Sequence, residues 1–97
     1  MAYNVVFSPL ARLELLQADD WYSQTDIQIS VAFYADVART EQFLKNSPYL
    51  YAKTEGDIRR AVLKRFPYSL FYTIDDQVVT VLSVFHQNRD PVSFIES

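Results

Sequence analysis

Cysteine is absent from this 97-residue sequence, and glycine and histidine occur once each, as Gly56 and His86. Without cysteine there is no disulfide, no thiolate nucleophile and no cysteine zinc site, a usage that fits a reducing compartment. One histidine excludes a multi-histidine metal centre, and no metal is expected. One glycine leaves neither a Walker-type phosphate loop nor a dinucleotide fingerprint, since both need several, so no nucleotide cofactor is expected. No apolar run is long enough to span a bilayer, and Met1-Ala2-Tyr3-Asn4 lacks the basic start and apolar stretch of a signal peptide. The expectation is a soluble, unexported, cytoplasmic protein without a membrane partner.

What the chain does contain is apolar substance and divided charge. Hydrophobic residues make up 49% of the sequence, enough for residues 1–97 to form one domain that buries roughly two-thirds of its extended surface. The formal net charge of −3 conceals an asymmetry: residues 1–57 hold four Lys/Arg against eight Asp/Glu, and residues 58–97 hold five against four. Arg59, Arg60, Lys64 and Arg65 cluster in the second part. Such a patch can attract a polyanion even on a mildly acidic molecule.

Read along the chain, Tyr3 to Phe7 alternates as a strand does, and Ser8-Pro9 opens a helix with a hydroxyl acceptor and a first-turn proline. Leu10, Ala11, Leu15, Ala18, Trp21 and Tyr22 form its broad apolar stripe, with Leu13 and Leu16 outside it. Thr25 followed by Gln28 has the pattern of a capping box. A second helix follows, with Ile29, Phe33, Val37, Thr40 and Leu44 on one face, ending before Asn46-Ser47-Pro48. Tyr49 to Asp57 is an irregular connection. A three-strand meander follows, with Asp75-Asp76 as a solvated tight turn and Pro67 at a turn or bulge. This order predicts an α+β two-layer domain, a helix hairpin packed on one antiparallel sheet, β-α-α-β-β-β. Trp21-Tyr22 and Phe71-Tyr72 are expected in the core.

The run Arg65-Phe66-Pro67-Tyr68, the Phe71-Tyr72 pair, the acidic turn and the closing His86-Gln87-Asn88-Arg89-Asp90-Pro91 resemble the C-terminal half of the RelE/ParE superfamily. These are toxins of bacterial type II toxin–antitoxin operons. Phe7, Ala11, Glu14-Leu15, Ala18 and Trp21-Tyr22 are similar to that family's opening strand and first helix. The resemblance implies that the first strand lies beside the last. It also implies an adjacent-gene antitoxin as partner, with homodimerisation left open.

Ribonucleolytic members of the superfamily cleave messenger RNA on the ribosome. That chemistry needs a base for the ribose 2′ proton, cations for the scissile phosphate and an acid for the leaving 5′ oxygen. Arg59, Arg65 and His86 are the catalytic candidates. Arg59 and Arg65 are expected on one side of a single strand, with Arg60 and Lys64 on the other. The alternatives are solubilising cations on an exposed strand, a structural histidine, and an Arg89-Asp90 ion pair that fixes the tail. The ending Val92-Ser93-Phe94-Ile95-Glu96-Ser97 carries no tyrosine, histidine or cation, unlike the ribonuclease branch. The Arg-Asp-Pro ending looks like the ParE, plasmid-stabilisation side, whose members bind DNA gyrase. Three readings stay open: a gyrase-binding toxin, a ribosome-dependent mRNA endoribonuclease, and a non-toxic interaction module on the toxin fold. Arg59, Arg60, Lys64, Arg65 and Arg89 are the candidate contacts to target or nucleic acid. Leu13, Leu16, Phe94 and Ile95 are the candidate antitoxin contacts, because so small a domain has no obvious place to bury them.

Overall fold

Ser8 couples the first strand to the first helix and both to the far end of the chain. In the computed structural model, which describes residues 2–87, Ser8 has extended backbone (φ −63°, ψ 163°). Its Oγ accepts from the Ala11 amide at 3.0 Å and donates to the Leu82 carbonyl at 2.9 Å. Strand β1 (Asn4–Phe7) ends before it, and helix α1 (Pro9–Thr25) begins after it with proline in the first turn, as expected. One residue, Asp26, separates α1 from α2 (Ile27–Asn46). Its backbone N–H donates to the Tyr22 carbonyl while its carboxylate accepts from the Gln28 amide at 2.9 Å. The cap therefore sits at Asp26 and not at Thr25, which is the last helical residue of α1. Helix α2 buries the stripe Phe33, Val37, Thr40 and Leu44, with Ile29 half-buried. It ends where Ser47 N–H bonds the Phe43 carbonyl and Pro48 follows.

The sheet has the order β1-β5-β4-β3-β2, built from β2 (Lys53–Glu55), β3 (Ile58–Val62), β4 (Tyr68–Asp75) and β5 (Val78–His86). The two-layer α+β arrangement and the neighbouring first and last strands agree with expectation. The sheet is nevertheless mixed, because β1 runs parallel to β5 while every other pair is antiparallel. No hairpin joins β1 to β5, so nothing local forces the antiparallel direction. The fifth strand, β2, lies inside the connection read as irregular, where its three exposed polar residues give no alternating signal. Gly56, at φ 51°, makes its turn into β3. Asp76, at φ 54°, makes the β4–β5 turn with Gln77, as the acidic pair suggested.

Opposite the break in register at Phe71/Tyr72, strand β5 carries an extra residue, Leu82. Helix α1 repairs the interruption from its N-terminal half. Glu14 Oε1 accepts from Ser83 Oγ at 2.7 Å and from the Val84 amide at 3.0 Å, next to the Ser8 bond to Leu82. Helix and bulge thus supply each other's partners, as buried polar groups require. Between the layers lie Ala11, Phe33, Val37, Leu70, Tyr72 and Val81, all buried. Tyr72 and its neighbour Phe71 face opposite ways: Tyr72 is in this core, and Phe71 meets Phe85 at 6.0 Å outside the main cluster.

The Tyr72 hydroxyl donates to the Pro48 carbonyl at 2.6 Å. Burial pushes its pKa up to about 12, with Tyr51 adding to the rise and the Arg59 charge opposing it. Tyr72→Phe leaves that carbonyl without its donor. A loss of about 1–2 kcal/mol is expected, read as a lower denaturant midpoint at unchanged slope.

Candidate functional site

The segment Leu63 to Pro67 links β3 to β4 and carries two exposed cations, Lys64 and Arg65. Pro67 cannot donate to a ladder, and the chain turns here. Leu63 N–H bonds the Tyr68 carbonyl at 2.9 Å, and Gln87 N–H bonds the Pro67 carbonyl at 2.8 Å. From α2, Asp36 reaches under the turn. Its carboxylate accepts from the amides of Lys64 (3.3 Å), Arg65 (2.7 Å) and Phe66 (3.1 Å), and from Arg39 at 3.3 Å. Asp36 is only 4% exposed. Burial alone would push its pKa up, but the amides of Arg65, Lys64 and Phe66 with the Arg39 guanidinium outweigh burial and hold it below the ordinary carboxylate value.

Phe66 anchors the turn on the other side, 5.1 Å from Tyr22 and 5.4 Å from Phe33. Tyr68 continues the cluster and meets the His86 ring edge-on at 5.0 Å. A cavity of about 450 Å³ opens beside it, lined by Glu14, Gln17, Trp21, Tyr22, Tyr68 and His86 among others. Trp21 is 67% exposed at this hollow, which corrects its expected place in the core. Adjacent positions on a helix point about 100° apart, so only Tyr22 of the pair turns inward.

The basic cluster does not form one surface. Strand β3 ends at Val62, so Arg59 and Arg65 do not share a strand face as the alternation suggested. Arg59 donates to the carbonyls of Tyr49 (3.2 Å) and Tyr51 (2.7 Å) and lies over the Tyr49 ring at 5.2 Å. Arg60 donates through Nε to Ser69 Oγ at 2.9 Å and lies over Phe71 at 5.8 Å. Arg59 pairs with Tyr72 and His86 with Tyr68. Those strand positions are four residues, or about 13 Å, apart. Of the four clustered cations, Lys64 and Arg65 sit in the turn at the His86 end, where Gln87 N–H bonds the Pro67 carbonyl.

Leu13 and Leu16 are 52% and 54% exposed, as their place outside the helical stripe implied. With Phe7, Pro9 and Arg12 they line an open hollow beside β1, an edge strand among the described residues. Across Phe7 and Arg12 the hollow meets a second one lined by Val5, Val6, Tyr34 and Glu41. Arg89, Phe94 and Ile95 lie outside the described residues. Among the described residues no three His, Cys, Asp or Glu side chains are grouped to hold a metal ion, and no helix is long and apolar enough to cross a membrane. Asp36 and the strap from Glu14 to β5 carried no local sequence signal. A lone acidic residue on a helix shows its role only once the partner strand or turn is in place.

A family model of the ParE toxin of type II toxin–antitoxin systems, parDE, matches residues 5–91. The chain belongs to the ParE toxin family. Among solved structures, this ParE-family chain is similar to one from the chromosomal ParDE toxin–antitoxin system of P. aeruginosa. The TM-score is 0.76 at 16% identity, over 88% of this chain and 96% of that one. It is also similar to one from the RelBE2 toxin–antitoxin complex of Mycobacterium tuberculosis, with TM-score 0.59 at 24% identity, over 89% and 99%. No curated protein matches the chain. Identities this low show a shared fold. The family model carries the assignment as a ParE-type toxin of a type II toxin–antitoxin system.

Proposed function

We propose that this ParE-family toxin acts in the bacterial cytoplasm by binding an essential protein, DNA gyrase, and that a cognate antitoxin neutralises it. The observation that carries the reading is the dispersal of the cations. Phosphoryl chemistry needs cations aimed together at one developing charge. Here Arg59 is held by two carbonyls and Arg60 by Ser69. The three turn amides that could cradle a phosphate are filled by Asp36. One observation favours the second reading, a ribosome-dependent mRNA endoribonuclease: His86 borders a cavity that also holds Glu14 and exposed Trp21. Gyrase supercoiling inhibition against cleavage of ribosome-bound mRNA separates the two.

His86→Gln supplies a sharper test. A catalytic imidazole contributes a factor of about 10² to 10⁴ in rate. In the binding mechanism the variant keeps most of its growth arrest on induction without antitoxin. A folded His86→Gln protein without toxicity, from a parent that cleaves mRNA on ribosomes, would establish the enzyme. A parent that neither arrests growth nor inhibits gyrase would leave the third reading, an interaction module.

The antitoxin site proposed here is the apolar strip of Leu13 and Leu16 beside the β1 edge. Burying each leucine contributes about 1.5–3 kcal/mol. The double variant Leu13→Asp/Leu16→Asp is therefore expected to weaken antitoxin binding at least about a hundredfold by titration calorimetry, without loss of helix content.

A further inference from the structure

We propose that the Lys64–Arg65 turn is a preorganised contact for an acidic segment of the target protein, and that Asp36 is its positioning residue. This rests on the reading that the toxin works by binding. Here three consecutive amides of an exposed turn are fixed by one buried carboxylate nearly 30 residues away in sequence. Phe66 packs against both Tyr22 and Phe33, and Pro67 closes the turn. The fold therefore immobilises the backbone of Lys64 and Arg65 while leaving their side chains exposed. Holding the turn in one conformation removes the ordering cost that binding would otherwise carry.

The chemistry of the surface selects among anions. Arg59 and Arg60 have internal partners among the described residues, whereas neither a hydrogen bond nor an ion pair holds the side chain of Lys64 or Arg65 there. Two adjacent exposed cations can each pair with one carboxylate of a short acidic run. Two cations neutralise only about two phosphates, so a nucleic acid strand gains little counterion release at this turn. The turn amides that could have added to them already hold Asp36.

The test uses the full chain in four forms: wild type, Lys64→Glu/Arg65→Glu, Asp36→Asn, and Lys53→Gln as a control on β2, beside the start of β3 and away from the turn at its end. Each is induced without antitoxin, titrated onto purified gyrase, titrated with its antitoxin, and followed by amide exchange. Charge reversal is expected to lower gyrase affinity at least about tenfold and to abolish growth arrest, with antitoxin affinity unchanged. Asp36→Asn is expected to lower gyrase affinity by about threefold to tenfold. It should raise exchange at Lys64, Arg65 and Phe66 while other amides stay protected, a pattern that general destabilisation would not give. Lys53→Gln should match wild type. Charge reversal that leaves arrest intact overturns the turn's role while the binding mechanism stands. Charge reversal that costs antitoxin affinity instead overturns it in favour of an antitoxin surface. Salt-dependent RNA binding lost on charge reversal overturns it in favour of nucleic acid. A wild type that arrests growth without binding gyrase removes gyrase alone, and growth arrest of the variants still judges the turn. A wild type that does neither removes the binding mechanism and the proposal with it.

Discussion

Asp36→Ala is expected to destabilise the domain by about 3–5 kcal/mol, because it removes at a buried position the acceptor of three backbone amides, the half-exposed Arg39 adding little. Asp36→Asn should cost less, since the amide oxygen still accepts. The carboxylate also sets a pH dependence whose sign follows from the direction of its shift. Its folded pKa lies below the ordinary 3.8. The stabilisation is therefore complete above about pH 5 and is lost as pH falls through the depressed folded value. In denaturant titrations, the gap between wild type and Asp36→Asn is expected to hold constant from neutral pH to about pH 5 and to narrow below about pH 4. A gap that widens in acid would show that the carboxylate is not held ionised by the turn.

Phe33→Ala is the second large effect, at about 3–5 kcal/mol. Phe33 has no exposed surface and its ring meets Tyr22, Tyr34, Phe66 and Tyr68 at 5.3 to 6.0 Å. Its removal opens a cavity where α1, α2 and the dibasic turn come together, so the cost exceeds the transfer of one ring. The turn should loosen with it. Near-ultraviolet circular dichroism should lose aromatic signal while far-ultraviolet helix content is kept, and the midpoint of unfolding should fall. A loss under about 1 kcal/mol would mean that the aromatic cluster repacks around the gap.

The elements that could be read from the sequence are those with local chemical causes. Ser8-Pro9 starts α1 because a hydroxyl and a proline suit a helix end whatever lies around them. The spacing of Phe33, Val37, Thr40 and Leu44 fixes the inward face of α2, and Asp75-Asp76 makes its turn. The misplacements have non-local causes. Leu63 continues the alternation of β3 past Val62, so the strand was expected to reach Arg65. Instead the chain turns, and the amides of Lys64, Arg65 and Phe66 bond to Asp36, on a helix that sequence spacing cannot bring near. Trp21 fits the helical stripe but lies on its margin, and only the position of β5 decides which member of Trp21-Tyr22 is covered. The basic cluster was legible as composition. Its division among Tyr49, Tyr51, Ser69 and open solvent needed the fold.

The pairing of the first strand with the last has a consequence in time. Ser8 and the Leu82 carbonyl it bonds are 74 residues apart, and Asn4 to Phe7 pair with Val78 to Val81. At about 5–20 residues per second, a ribosome needs about 4 to 15 seconds to make that interval. During it β1 has no neighbour, and Glu14 has no strand amide to accept from. The helix hairpin can form early from its own contacts, but the sheet edge it rests on cannot. A chain interrupted before Val78 would expose the apolar underside of its helices, a ready substrate for cellular proteases. The parallel pair thus makes completion of β5 a condition of possessing the fold at all.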